Sequence, residues 1–266
     1  IETLATIKDV NKPIVLHAHT IKGKGYEYTE GDATAFHSPK PHSVSGCRVE
    51  IKTGGRSFTT AFGEALCDIM ERDGTVTACS AAMADGTGVQ KAIDQFPDRT
   101  WDTGICESHA ADMMLGMAKT GLRSFFAVYA TFLQRAFDQC FQEASLQGLP
   151  LRLCLDRAGL VGGDGAVHHG FCDVSILRTL PDAVLMAAID EQSLRASLEF
   201  MRTYDEGLTA VRYPRDDVND MLSNQTCSPF ELGKAVCVRS TPDADVVVLA
   251  YGVQALTAIE AADQLD

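Results

Sequence analysis

Four apolar runs in this sequence end in residues that can move protons or hold anions. Glu107 follows TWDTGIC, and Tyr129, Thr131 and Arg135 follow FFAV. Asp156 and Arg157 follow LRLCL, and Arg212, Tyr213 and Arg215 follow TAV. Between the last two runs lies a glycine-rich loop, LVGGDGAVHHG, that carries Asp164, His168 and His169. Carboxylates and imidazoles exchange protons near neutral pH, whereas guanidinium groups are fixed planar cations that match carboxylate and phosphate oxygens. If the runs are strands, they deliver carboxylate, aromatic, histidine and arginine groups to one edge, which together make a pocket there.

Two of these features keep more than one reading. Glu107 opens a helix whose Ala110, Met114, Met117 and Ala118 fall on one apolar face. There it either complements the helix dipole or, desolvated by its surroundings, shares a proton with a buried ligand nitrogen. The glycine-rich loop allows a ligand close to its backbone but lacks the Lys-Ser/Thr of a phosphate-binding Walker loop. Asp164, His168, His169 and Cys172 invite a metal, backbone-bonded structural histidines, or a histidine that moves protons on a substrate.

The elements that must position these residues alternate. Helical periodicity over 57–72 precedes a strand at 76–79, a helix at 88–96, a strand around Trp101 and the Glu107 helix. A strand at 125–128, a helix at 133–147 and a strand at 151–155 follow. After the glycine-rich loop come strands at 184–186 and 209–211 flanking a helix at 191–202. This rhythm predicts a doubly wound, mostly parallel α/β sheet with helices on both faces, and ligands then bind beyond the carboxyl ends of the strands. Outside it, 1–12 reads as the last turns of a helix, 13–19 as a strand, 42–56 and 214–229 as linkers, 232–238 and 245–249 as strands and 253–265 as a helix. The expected division is therefore 1–56, 57–227 and 228–266.

Composition narrows the partners. A formal net charge of −13 argues against a broad nucleic-acid or anionic-membrane surface, though it leaves room for a small cationic pocket. The chain has no apolar run of the ~18 residues a membrane span needs, and its first residues lack a signal-peptide layout. Nine cysteines occur without a CxxC pair. Cys67, Cys79, Cys140 and Cys154 sit in apolar segments, which reads as buried free thiols in a reducing, cytoplasmic setting.

The strings AAMADGTG, FPDRTWDTGICESHA, YATFLQRAFDQ, LPLRLCLDRAGLVGGDGAVHHG and RYPR, with KGKGY and FHSP near the start, resemble the 1-deoxy-D-xylulose-5-phosphate synthase family. That family comprises thiamine-diphosphate enzymes of the transketolase superfamily. The likeness runs from about residue 13 to 266. It implies a pyrimidine-binding domain at 57–227. Residues 1–56 would close a diphosphate-binding domain and linker, and 228–266 would begin a further α/β domain.

The resemblance implies a transferase that condenses pyruvate with glyceraldehyde 3-phosphate, losing carbon dioxide, for isoprenoid and thiamine biosynthesis. It implies thiamine diphosphate and magnesium as cofactors, a homodimer, and no nucleic-acid or membrane partner. The magnesium ligands are expected in a domain outside this chain, which alone is then expected to be inactive. Glu107 would hydrogen-bond the ring nitrogen N1′ of the aminopyrimidine, favouring its imino form, whose exocyclic nitrogen deprotonates the thiazolium carbon. Phe132 would stack on the ring and Tyr26 would contact the cofactor. Arg157 and Arg215 would hold the acceptor's phosphate, with Tyr129 and Arg135 lining the same end. His168 would move protons on substrate oxygens, with Asp164 beside it and His37 reaching in from the linker.

Ser108 stands where the family usually has glutamine. Ala166, Val167, His168 and His169 replace Pro-Thr-His-Gln, and Asp216 replaces glycine after RYPR. Donor selectivity and the loop's geometry are the properties these departures touch. The alternatives are the β subunit of a 2-oxoacid dehydrogenase or another transketolase-like enzyme, and a non-catalytic module that keeps the fold.

Overall fold

The computed structural model describes residues 1–31, 42–45, 48–51 and 54–265, which divide into two units, Ile1–Gly54 and Gly55–Asp266. In the first unit, helix α1 (Glu2–Ile7) is followed by an irregular stretch and by a short helix α2 (Glu27–Glu30). The Thr29 hydroxyl donates to the Gly23 carbonyl at 2.5 Å and pins the glycine-punctuated turn. Strands β1 (His42–Ser45) and β2 (Arg48–Ile51) pair antiparallel within the stretch read as a linker. The strand expected at 13–19 does not form; its Val15 is almost fully exposed, and a strand without a neighbour has no ladder to satisfy its backbone. His37 lies outside the described residues.

The second unit carries the expected α/β alternation. Helix α3 (Phe58–Arg72) starts on Ser57, whose hydroxyl accepts from the Thr60 N–H, and buries Phe58, Phe62, Leu66 and Ile69 on one side. Strand β3 (Val76–Ser80), the short helices α4 (Ala84–Thr87) and α5 (Gln90–Gln95), strand β4 (Thr100–Asp102) and helix α6 (Glu107–Lys119) follow. Strand β5 (Arg123–Tyr129) leads through an irregularly wound segment, described below, to β6 (Arg152–Asp156). Beyond the glycine-rich loop, α8 (Cys172–Leu177) precedes β7 (Val184–Ala187), α9 (Glu191–Thr203) and β8 (Thr209–Arg212). Asp190 and Ser193 close a reciprocal capping box at the start of α9.

The six strands form one parallel sheet in the order β4-β3-β5-β6-β8-β7. Strands β3 and β6 are buried at every position, which is why they read as continuous apolar runs rather than alternating ones. One core lies under α3, α5 and α9 and includes Phe62, Leu66, Phe125 and Leu198. The other lies under α6 and the segment after β5 and includes Met114, Phe126, Leu133 and Leu153. Cys67, Cys79, Cys140 and Cys154 are buried free thiols, and burial pushes Cys140 up to about 12.

The helix expected at 133–147 departs most from regular winding. It begins as a 3₁₀ helix over Ala130–Ala136, passes through one α turn, α7 (Phe137–Gln139), and ends as a π helix over Cys140–Ser145. Ala130, Leu133 and Ala136 are all buried. Their spacing of three fits a helix with about three residues per turn, in which residues three apart eclipse one another. Toward the end of the chain, helix α10 (Gln254–Leu265) forms as expected, but 232–238 and 245–249 are not strands. Val246, Val247 and Leu249 are exposed there, so β propensity alone does not make a strand without a partner.

Candidate active site

The chain leaves β3 toward β4 on one side and enters β5 on the other, so the strand order reverses between β3 and β5. In open parallel sheets the crevice for a ligand opens at such a point, beyond the carboxyl ends. Here the ends of β3, β5 and β6 meet. A Cβ on Gly86, just past β3, would run into the Tyr129 hydroxyl at the end of β5. The Gly86 carbonyl accepts from Arg157 Nη1, just past β6, at 2.6 Å. Only glycine permits that approach. Two residues without glycine's freedom also take left-handed backbone at this edge, Ala82 with φ 59° and Arg157 with φ 58°. That conformation costs about 1–2 kcal/mol per residue and clusters where function requires it.

Glu107 opens α6 and is only 2% exposed. Its Oε1 accepts from Arg135 Nη1 at 2.6 Å, while the Arg135 side chain is 53% exposed. Oε2 has no protein partner among the described residues. The 3₁₀ winding after β5 lines up Tyr129, Phe132 and Arg135, each three residues apart. The Tyr129 and Phe132 rings stack at 6.0 Å with 18° between planes, and the Arg135 guanidinium lies 4.8 Å from the Phe132 centroid. An α helix would rotate each successive member of this ladder away from the last. Ser108 holds the far end, its hydroxyl donating to the Arg135 carbonyl at 2.6 Å.

The other half of the site is built on β6. Asp156 is fully buried and accepts from the Arg157 N–H at 2.6 Å, from Arg157 Nη1 at 2.9 Å and from the Thr59 hydroxyl at 2.9 Å. Burial pushes its carboxyl up to about 6, against the pull of these donors. Arg157 lies 4.0 Å over the Tyr129 ring, and burial also raises the Tyr129 phenol. Asp164 bridges the arginines, with Oδ2 3.3 Å from Arg157 Nε and Oδ1 3.2 Å from Arg215 Nη1. Arg157 Nη2 keeps no protein partner among the described residues.

His168 stands between the halves. Its Nδ1 is 3.1 Å from the Asp164 carbonyl, and its ring meets Tyr129 and Phe132 edge-on at 5.9 and 5.6 Å. His169 is structural, because its Nδ1 accepts from the Val161 N–H at 2.9 Å. Among the described residues no three histidine, cysteine or carboxylate groups converge as metal ligands.

The structure thus brings together Glu107, Phe132, Arg135, Tyr129, His168, Asp164, Arg157 and Arg215. Tyr26 belongs to the first unit. Two strand-end residues leave the site. Arg212 pairs with Asp173 at 2.8 Å and braces the loop through the Gly170 carbonyl. Tyr213 is core, stacked on Phe58 and Phe62. Thr59 and the Gly86 carbonyl were not legible as site members, since their partners lie 97 and 71 residues away. A cavity of about 470 Å³ lies elsewhere, beside edge strand β7, lined chiefly by apolar groups such as Met186, Phe200 and Val236. Its lining includes Asp190, Glu231 and Lys234 but, among the described residues, no arginine.

Residues 55–221 match the family described as the pyrimidine binding domain of transketolase. The 1-deoxy-D-xylulose-5-phosphate synthase of Aliarcobacter butzleri is 40% identical over 260 residues, 98% of this chain and 43% of that protein. The synthase of Anaeromyxobacter dehalogenans is 43% identical over 268 residues, 100% of this chain and 42% of that protein. The chain therefore spans about two fifths of the curated relatives it matches. Among solved structures, a split-gene transketolase described as an inactive β4 tetramer superposes with a TM-score of 0.69 at 25% identity. That match covers 80% of this chain and 68% of the other.

Proposed function

The chain belongs to the transketolase pyrimidine-binding domain family, and on that premise we propose that it forms the aminopyrimidine and acceptor-phosphate half of a 1-deoxy-D-xylulose-5-phosphate synthase. The activity proposed is the decarboxylative condensation of pyruvate with glyceraldehyde 3-phosphate, in a homodimer that uses thiamine diphosphate and magnesium. On this reading 57–227 is the pyrimidine-binding domain, between parts of a diphosphate-binding domain and of a further α/β domain. The cofactor, when bound, supplies the nucleophilic carbon.

The observation that carries the reading is Glu107, a buried carboxylate with one oxygen unpaired among the described residues, beside an aromatic face at the reversal of strand order. The guanidinium held against Glu107 and Phe132 indicates that a flat, cationic nitrogen donor fits there. Glu107 would hold a proton against the ring nitrogen and Phe132 would fix the ring's plane. Arg157 and Arg215 would grip the acceptor's phosphate, for which paired guanidinium forks are suited. Tyr129 and Arg135 line the space between, and His168, its Nδ1 already engaged, would exchange protons at substrate oxygens through Nε2. Tyr26 as a cofactor contact and His37 as a proton-transfer group complete the proposed set.

The test is product formation from pyruvate and glyceraldehyde 3-phosphate by protein containing this chain, supplied with thiamine diphosphate and magnesium. Glu107→Ala should cut the rate by about 10²–10⁴-fold, the range for removing a positioned proton-transfer group, while the thermal unfolding transition persists. Product formed at an unchanged rate would return Glu107 to the role of a helix-dipole residue.

A further inference from the structure

The Glu107–Arg135 pair is lopsided. The carboxylate side is 1% exposed and the guanidinium side 53%. A buried carboxylate needs a counter-charge or a proton, whereas an exposed guanidinium can return to water at little cost. Arg135 is nonetheless seated with care. The spacing along the 3₁₀ helix puts it over Phe132, and Ser108 ties its carbonyl to the first turn of α6.

What Glu107 and Phe132 recognise in Arg135 is a flat cation that gives an N–H to a carboxylate oxygen and a face to an aromatic ring. A 4-aminopyrimidine protonated on its ring nitrogen offers the same features, with its charge spread through the plane onto the exocyclic nitrogen. With its side chain 1% exposed, Glu107 has no open approach past the seated Arg135, and one face of Phe132 cannot serve both at once. We propose that Arg135 is an internal stand-in for the aminopyrimidine, keeping Glu107 paired and Phe132 covered until the ring displaces it. This inference rests on the pyrimidine-site reading above. No covalent bond changes in the exchange: one ion pair opens, another closes, and the ring's proton comes from solvent. Arg135 then joins the lining between the two ends.

The test is calorimetric titration of the full 266-residue chain with 4-amino-5-hydroxymethyl-2-methylpyrimidine, which carries no phosphate. Arg135→Met removes the competitor and leaves Glu107 seeking a partner, so it should bind the pyrimidine about ten- to hundredfold more tightly than the unsubstituted chain. Arg135→Lys keeps charge without the plane and should fall between the two. Should Arg135→Met fail to fold, by circular dichroism, Arg135→Lys carries the test, and it too must bind more tightly. Binding by the unsubstituted chain that is unchanged or weakened by folded substitutions would overturn the stand-in and leave the pyrimidine site in place. No binding by any of these proteins would overturn both.

Discussion

The two ends of the site are each neutralised from within, but with opposite asymmetry. At the α6 end the anion is buried and its cation, Arg135, faces water. At the β6 end a cation, Arg157, is 10% exposed over the sealed Asp156, while Asp164 bridges it to the half-exposed Arg215. The exposed partner at the first end is positive, and the charge that bridges the second is negative. On the proposed reading, an incoming ligand replaces a cation at Glu107 and competes with an anion at the arginines. That polarity is what a cationic ring and a phosphate require, and it comes from which partner the fold buries.

The largest expected effect separates the two arginines. Arg157→Ala strips the counter-charge from a sealed Asp156, and breaking a buried pair this way costs about 3–5 kcal/mol of stability. Arg215→Ala breaks only a contact at 3.2 Å with a partly exposed carboxylate and should cost about 1 kcal/mol or less. Both should raise the KM for glyceraldehyde 3-phosphate by about ten- to hundredfold, since a charge-assisted bond to phosphate is worth about 1.5–3 kcal/mol, and should move the KM for pyruvate far less. Chemical denaturation of both variants, alongside steady-state kinetics, reads these together. Equal stability losses would erase the distinction between a buried and a surface arginine.

A smaller effect concerns Asp164. If its carboxylate holds the place of a phosphate, Asp164→Asn should tighten binding of inorganic phosphate by about two- to fivefold, the worth of a partly exposed ion pair. Weaker phosphate binding, measured by equilibrium dialysis, would mean that Asp164 organises the arginines instead.

The smallest effect is a titration. With a folded value of about 6 against about 3.9 unfolded, Asp156 contributes stability that is fully present below about pH 4 and is lost as pH rises through about 6. Thr59→Val removes a donor at 2.9 Å that favours the ionised form, so the titration should move upward. Carbon-13 NMR of the Asp156 carboxyl follows it, and a downward move would contradict the role given to Thr59.

The two ends also differ in how much of them the sequence could disclose. Strands β3, β5 and β6 were legible because burial on both faces leaves continuous apolar runs, and their last residues marked one sheet edge. Glu107 and the arginines followed from that edge. The 3₁₀ ladder did not, because over seven residues apolar positions three apart also fit one face of an α helix. Nor could strand position show that Tyr213 turns into the core while Arg157 turns up into the site. The apolar stretch at 245–249 misled in the opposite way, since it has strand-forming residues and no neighbour to pair with.

The central claim, that the α6 end takes the ring and the β6 end the phosphate, is tested most directly by nitrogen-15 NMR of the arginine side chains. The protein would be titrated with the aminopyrimidine and, separately, with glyceraldehyde 3-phosphate. The account predicts that the Arg135 signals move with the pyrimidine, and that those of Arg157 and Arg215 move with the phosphorylated aldehyde. Signals that move in the reverse assignment, or all three arginines responding alike to both ligands, would contradict it.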